Sequence, residues 1–315
     1  MASSHLYFVA PFRTLRSSPS LPKSPRFPLH VSRSSHLLTH KTLAFSTVIR
    51  GASGSGRSSW RAMAEKGKGK VVVFDSEEDL SVSLAKYTAD LADKFSKEKG
   101  SFTVVLSGGS LIKSLRKLVE TPYVDAVDWS TWHVFWVDER VVPKDHDDSN
   151  YKLAFAGFLS KVPIHPGKVY AINDALPAEG AADDYETCLK HLVKSNVISV
   201  SAATGVPKFD LMLLGMGPDG HVASLFPGHP LVKEKEKWVT FIKDSPKPPP
   251  ERITFTFPVI NSSANIALVV CGAGKAGPVN AASGNGQNSD PLPVQMVSPE
   301  GELVWFLDKD AASKL

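Results

Sequence analysis

Residues 103–118 read TVVLSGGSLIKSLRKL, and the order of residue types in this stretch sets the fold class. A short apolar run, 103–106, passes into Ser107-Gly108-Gly109-Ser110, and Leu111, Leu115 and Leu118 then recur at helical spacing. That is a strand, a tight turn and a helix with one apolar stripe. The same pattern extends in both directions. Upstream, 71–74 reads as a strand, and Leu80, Leu84, Leu91 and Phe95 share one helical face, with Gly100 suited to the chain reversal that follows. Downstream, strands are expected at 132–137, 209–214, 252–257, 266–270 and 303–307. Helices are expected around 150–159 and over 181–193, the second with Tyr185, Cys188, Leu189 and Leu192 inward, and another opens from Gly272-Ala273-Gly274-Lys275. There is no internal repeat. The expectation is an α/β domain, a mainly parallel sheet sandwiched by helices, with ligand loops at the carboxyl ends of its strands.

The N-terminus has a different composition. Residues 1–64 contain no Asp or Glu, but 14 Ser and 9 Arg or Lys. Such a segment cannot bury enough apolar surface to offset chain entropy, so it is expected to be disordered. Ser-rich, Arg-containing and acid-free, it reads as a transit peptide of plastid type, the plainer alternative being an ordinary disordered tail. Cleavage would fall near residues 62–64. Residues 65–315 then form a single domain. The whole chain carries a net +4, but residues 65–315 carry −5, so the basic overall balance is no argument for nucleic-acid binding. No run is long enough to span a bilayer. At the other end, Ser313-Lys314-Leu315 matches the peroxisomal address, although Leu315 could equally pack a last helical turn. Cys188 and Cys271 are too few for a disulfide framework and lack metal-ligand spacing. Cys271 ends the apolar run 266–270 and is expected to be a buried structural thiol. A reduced or mildly redox-active compartment fits both.

The four richest polar clusters all follow expected strands and should converge on one rim. In Ser107-Gly108-Gly109-Ser110, the glycines let backbone approach a ligand and the following helix offers free N–H groups to an anion. The loop is neither a Walker A nor a GxGxxG motif, and a plain tight turn explains it equally well. Arg252, at a strand start, and Lys275, on a glycine-rich turn, would complete an anion site, though each alone fits a solvated surface cation. Asp219-Gly220-His221 offers a histidine able to take a proton from water near neutrality, with a carboxylate to orient ring or water; the alternative is a satisfied turn histidine. Asp138-Glu139-Arg140, directly after an aromatic-rich run, fits either a helix-capping salt bridge or a ligand contact, with His146, Ser149 and Asn150 extending the cluster. No His/Cys/Asp spacing matches a zinc or two-metal site, so neither metal nor cofactor is expected.

Together these segments resemble the 6-phosphogluconolactonase family, within the superfamily that includes glucosamine-6-phosphate deaminases. The resemblance runs from Val71 to the C-terminus. It is carried by Ser107-Gly108-Gly109-Ser110, Val137-Asp138-Glu139-Arg140, GMGPDGHVASLFP at 215–227, Arg252-Ile253-Thr254 and LVWFLD at 303–308. It implies a modified Rossmann-like α/β sandwich that hydrolyses 6-phospho-D-glucono-1,5-lactone. It also implies a substrate phosphate held by Ser107, Gly108, Gly109, Ser110, Arg252 and Lys275, with Arg140 facing phosphate or sugar, His221 as general base and Asp219 steering the imidazole or the water. A small phosphorylated sugar lactone is then the ligand, no nucleic acid or membrane is involved, and functional coupling to glucose-6-phosphate dehydrogenase is expected. The deaminases of the superfamily carry a carboxylate five residues after the corresponding histidine, where this chain has Phe226. A deaminase or isomerase therefore lacks a member of its ring-opening relay here. A non-enzymatic sugar-phosphate sensor would need the anion clamp but no base.

Overall fold

The computed structural model describes residues 61–63, 69–285 and 290–315. Residues 1–60, which hold nearly all of the expected transit segment, lie outside them. The strands are β1 (Arg61–Met63), β2 (Lys70–Phe74), β3 (Phe102–Leu106), β4 (Trp132–Trp136), β5 (Asp138–Arg140), β6 (Ser199–Val200), β7 (Pro207–Lys208), β8 (Leu211–Leu214), β9 (Val239–Ile242), β10 (Arg252–Phe255), β11 (Asn265–Val270) and β12 (Glu302–Asp308). The α-helices are α1 (Glu77–Lys99), α2 (Ser110–Ser114), α3 (Tyr123–Ala126), α4 (Asn150–Gly157), α5 (Ala178–Lys194), α6 (Phe257–Asn261) and α7 (Ala276–Asn280).

The main sheet runs in the order β1-β2-β12-β11-β8-β3-β4. Every pairing from β2 to β4 is parallel, as the alternation of strands and helices requires. β1, from the end of the segment read as a leader, pairs antiparallel with β2. Parallel strands covered on both faces should be apolar throughout, and β3, β4, β8 and β11 are buried at every residue. Their side chains divide with period two between two cores. Val105, Phe135, Met212, Leu214, Ile266 and Leu268 face Tyr185 and Leu189 of α5 and Ile260 of α6. Val104, Leu106, Val134, Leu213, Ala267 and Val269 face Leu80 and Leu84 of α1, Leu111 of α2 and Ala154 of α4.

Local chemistry sets the element ends. Ser76 caps α1 by accepting the Asp79 amide at 3.1 Å, and Gly100 closes it at φ 76° with its amide on the Ser96 carbonyl at 2.9 Å. The helix expected after residue 110 is instead two pieces, α2 and a 3₁₀ turn, Arg116–Val119, which still bury Leu111, Leu115 and Leu118. Two features differ from the sequence reading in ways that matter for the site. Asp138-Glu139-Arg140 does not simply end β4: it forms β5, the edge of a second, antiparallel sheet in the order β5-β10-β9. The strand expected to continue through Phe257 stops at Phe255, because Pro258 suits the first turn of α6 and cannot donate to a sheet ladder. This second sheet carries Arg252 directly opposite Arg140, and both extend toward the carboxyl edge of the main sheet.

Candidate active site

An open cleft lies at that carboxyl edge, lined by Ser107, Gly108, Gly109, Ser110, Asp138, Arg140, Asn150, Gly215, Met216, Gly217, His221, Ala223, Arg252 and Lys275. The expected convergence of four polar clusters on one rim therefore holds. Of the residues given a catalytic or phosphate-binding role from sequence, Asp219 alone is absent from the lining, and it touches the cleft through His221; Glu139, His146 and Ser149 of the second polar cluster do not line it.

The base candidate is built by the loop leaving β8. His221 Nδ1 and Asp219 Oδ1 are 2.5 Å apart, and the Gly217 amide donates to the His221 carbonyl at 2.9 Å, closing the loop on itself. Two glycines make this closure possible. A Cβ on Gly217 would stand 2.1 Å from the imidazole, and Gly220 turns at φ 82° against Leu292. The imidazole is mostly covered and packs 4.7 Å from the Phe226 ring. Burial lowers the His221 pKa, while the hydrogen bond and charge of Asp219 work the other way, and the net is a ring that favours the neutral form. Burial also opposes the Asp219 carboxylate, but the His221 hydrogen bond, the His221 charge, its own amide and Lys247 outweigh it and hold Asp219 below the usual carboxylate range. With Nδ1 donating to a carboxylate, Nε2 is left as the basic nitrogen.

The loop leaving β3 is made differently. The Ser107 amide donates to the Leu213 carbonyl and the Ser107 hydroxyl accepts the Gly215 amide, both at 3.1 Å, so this serine ties the two ligand loops together. Gly108 lies against Asn150: a Cβ there would be 1.8 Å from the Asn150 Oδ1. Gly109 caps α2 at φ 67°, with open space where a side chain would go. Neither glycine amide donates to another described residue, which leaves two backbone donors for an anion.

The charged triplet resolves into three roles. Asp138 is buried and accepts the Ser224 hydroxyl at 2.8 Å. Glu139 caps α4, taking the amides of Asn150 at 2.8 Å and Tyr151 at 2.7 Å, as well as the Arg140 amide at 2.8 Å. Burial pushes its pKa up to about 7 against those hydrogen bonds, with the neighbouring Asp138 charge adding to the rise. Arg140 faces the cleft, with one Nη on the Asp148 carbonyl at 2.7 Å and its buried Nε without a partner among the described residues. Glu139 thus caps a helix through backbone amides and not through a salt bridge, while Arg140 is the member of the triplet that extends into the cleft with Asp138.

The two distal cations are less free than their sequence positions imply. Lys275 donates to the Met216 carbonyl, and burial lowers its pKa. Arg252 is buried, with its guanidinium 5.6 Å from the Phe226 ring. Its Nε and Nη2 donate to the carbonyls of Lys247, Pro248 and Pro249 at 2.9–3.0 Å, leaving chiefly Nη1 toward the cleft, 3.5 Å from the Ser224 hydroxyl. Sequence reasoning missed Ser224 and Lys247. Ser224 sits in an apolar-looking run, and Lys247 lies in the proline-rich stretch 246–250, which carries no motif.

Cys188 and Cys271 are both free and half-buried, so Cys271 is less enclosed than its apolar run implied. Burial, with Asp308 beside it, pushes the Cys271 thiol up to about 11. Among the described residues no cluster of three or more His, Cys, Asp or Glu could hold a metal, and no helix is long and apolar enough to cross a membrane.

A protein from Oryza sativa subsp. indica named "Probable 6-phosphogluconolactonase 4, chloroplastic" is 73% identical over 248 residues, covering 78% of this chain and 76% of the relative. The Arabidopsis thaliana protein "6-phosphogluconolactonase 3, chloroplastic" is 63% identical over 311 residues, 96% of this chain and 94% of its own. The solved structure of 6-phosphogluconolactonase from Thermotoga maritima superposes with a TM-score of 0.63 at 31% identity, covering 76% of this chain and 100% of that one. The family described as "Glucosamine-6-phosphate isomerases/6-phosphogluconolactonase" matches residues 75–305, and this chain belongs to it.

Proposed function

We propose that the chain hydrolyses 6-phospho-D-glucono-1,5-lactone to 6-phospho-D-gluconate, the lactone-opening step of the oxidative pentose phosphate pathway, with His221 as general base. The observation that carries this reading is the cleft in which an aspartate-held imidazole faces Arg140, Arg252, Lys275 and the glycine loop. The relatives named as lactonases support the same reaction. Lys275, the free edge of Arg252 and the Gly108 and Gly109 amides hold the phosphate, which fixes the lactone. Nε2 of His221 takes a proton from water attacking C1. Arg140 or backbone N–H groups stabilise the oxyanion, and the intermediate collapses as the imidazolium returns its proton to the ring oxygen. Asp219 keeps the ring in the tautomer that presents Nε2. The apolar Phe226 packed on His221 stands where a deaminase needs its carboxylate, and a sensor would have no use for the base.

The test is product release by the full-length chain on lactone generated in situ by glucose-6-phosphate dehydrogenase, the enzyme to which this reaction would be functionally coupled. Release well above the spontaneous rate is expected, and release at that rate would overturn the hydrolase. Lys275→Met should raise KM for the phosphorylated lactone while leaving hydrolysis of unphosphorylated gluconolactone unchanged; equal loss for both would overturn the phosphate assignment.

The leader composition and the chloroplastic relatives support a plastid location. The terminal Ser313-Lys314-Leu315 is exposed, Leu315 by 42%, which supports reading it as a second, peroxisomal address. Tagging each end separately checks both addresses: a C-terminal tag should abolish any peroxisomal signal, and persistence of that signal under the tag would exclude the tripeptide.

A further inference from the structure

Hydrolysis as described leaves one cation beside the dyad without a task. Lys247 Nζ lies 3.3 Å from Asp219 Oδ1, the oxygen already bonded to His221 Nδ1. A half-exposed lysine ordinarily contributes little, because its stem must be ordered against solvent. Here the backbone beneath it is fixed. The Lys247 amide donates to the Ser245 hydroxyl oxygen at 3.2 Å, and its carbonyl accepts from that hydroxyl at 2.8 Å and from Arg252 Nη2 at 2.9 Å. The same buried guanidinium holds the next two carbonyls at 3.0 Å. Residues 245–250 thus form a strap pinned to β10, and the strap delivers Lys247 to the carboxylate.

We propose that Lys247 is a positioning residue for the catalytic dyad, sharing the Asp219 carboxylate with His221 and so restraining both the orientation of the ring and its charge. A carboxylate alone beside an imidazole favours imidazolium, which is useless as a base. A cation on the same oxygen weakens that bias while leaving the orienting hydrogen bond in place. The charges bearing on His221 are of both signs. Asp219 and the more distant Asp138 favour protonation, whereas burial and Lys247 oppose it. Arg140, Arg252 and Lys275 line the same cleft and are cations as well.

The inference rests on His221 being the base, and the test separates the two. In the full-length chain, the pH profile of kcat/KM on the lactone and an NMR titration of the His221 imidazole, assigned by its loss in His221→Asn, are compared for wild type, Lys247→Met and Lys247→Arg. In Lys247→Met both the acid limb and the imidazole titration should move to higher pH, with kcat/KM falling several-fold more at about pH 6 than at about pH 8 and KM little changed. Lys247→Arg should restore both. An unmoved imidazole titration in Lys247→Met, or a loss uniform across pH, would overturn the proposal. A titration that moves while the rate profile stays fixed would support the contact and overturn His221 as the base.

Discussion

Residues 107–110 leave β3 and residues 215–221 leave β8, two strands paired side by side and joined again above the sheet through Ser107. Both loops are rich in glycine and both face the cleft, yet the glycine nearest the imidazole and the glycine that opens α2 differ in kind. Gly217 lies under the imidazole, where even a methyl group would collide with the ring, whereas Gly109 has open space around it and is needed only for its positive φ. The β8 loop is shaped around a particular side chain. The β3 loop is shaped to leave backbone amides exposed. A reaction that moves a proton needs the first kind of precision, and anion binding tolerates the second.

Placing the same small substitution in both loops gives the sharpest contrast. Gly217→Ala forces the His221 ring aside, and a displacement of about an ångström at a reacting group can cost on the order of a hundredfold, so kcat should fall by about that much with KM little changed. Gly109→Ala meets only backbone strain, of order 1–3 kcal/mol, and should raise KM more than it lowers kcat. Equal kcat losses in the two variants would erase the distinction. A third variant probes the support of the β3 loop. Glu139 holds Asn150, and Asn150 packs on Gly108. Because burial raises its folded pKa to about 7, the stability gained from neutral Glu139 is fully present below the ordinary carboxylate range and is lost as pH rises through about 7. The melting temperature of wild type relative to Glu139→Gln should therefore drop between about pH 5 and pH 8, with the least effect on activity of the three. A difference independent of pH would contradict the buried carboxyl.

The same contrast explains what could be read from the sequence. Strands such as 266–270 and 303–307 announce themselves because a sheet covered on both faces demands unbroken apolar runs, and the stripe Leu80, Leu84 because helix burial repeats every 3.6 residues. The rim position of the four polar clusters follows from the topology of a parallel sheet. The contact between His221 and Asp219 was legible because the two lie two positions apart in one glycine-rich loop. What stayed hidden depends on partners distant in sequence. β5 is three polar residues with no periodicity, and it becomes a strand only because β10 pairs with it. Glu139 and Arg140 are adjacent yet divide between a helix cap and the cleft. Arg252 was expected to reach a phosphate, and most of its donors hold a proline-rich strap instead. Nothing in the order of residues around Lys247 points to Asp219, 28 positions upstream.

The most direct measurement is the steady-state hydrolysis of enzymatically generated 6-phosphogluconolactone by wild type and His221→Ala, corrected for the spontaneous reaction. Loss of a general base costs about 10²–10⁴-fold, so kcat should fall within that range while KM stays close to wild type, because the phosphate clamp is intact. A His221→Ala enzyme that keeps wild-type kcat would contradict the assignment of His221 as the base.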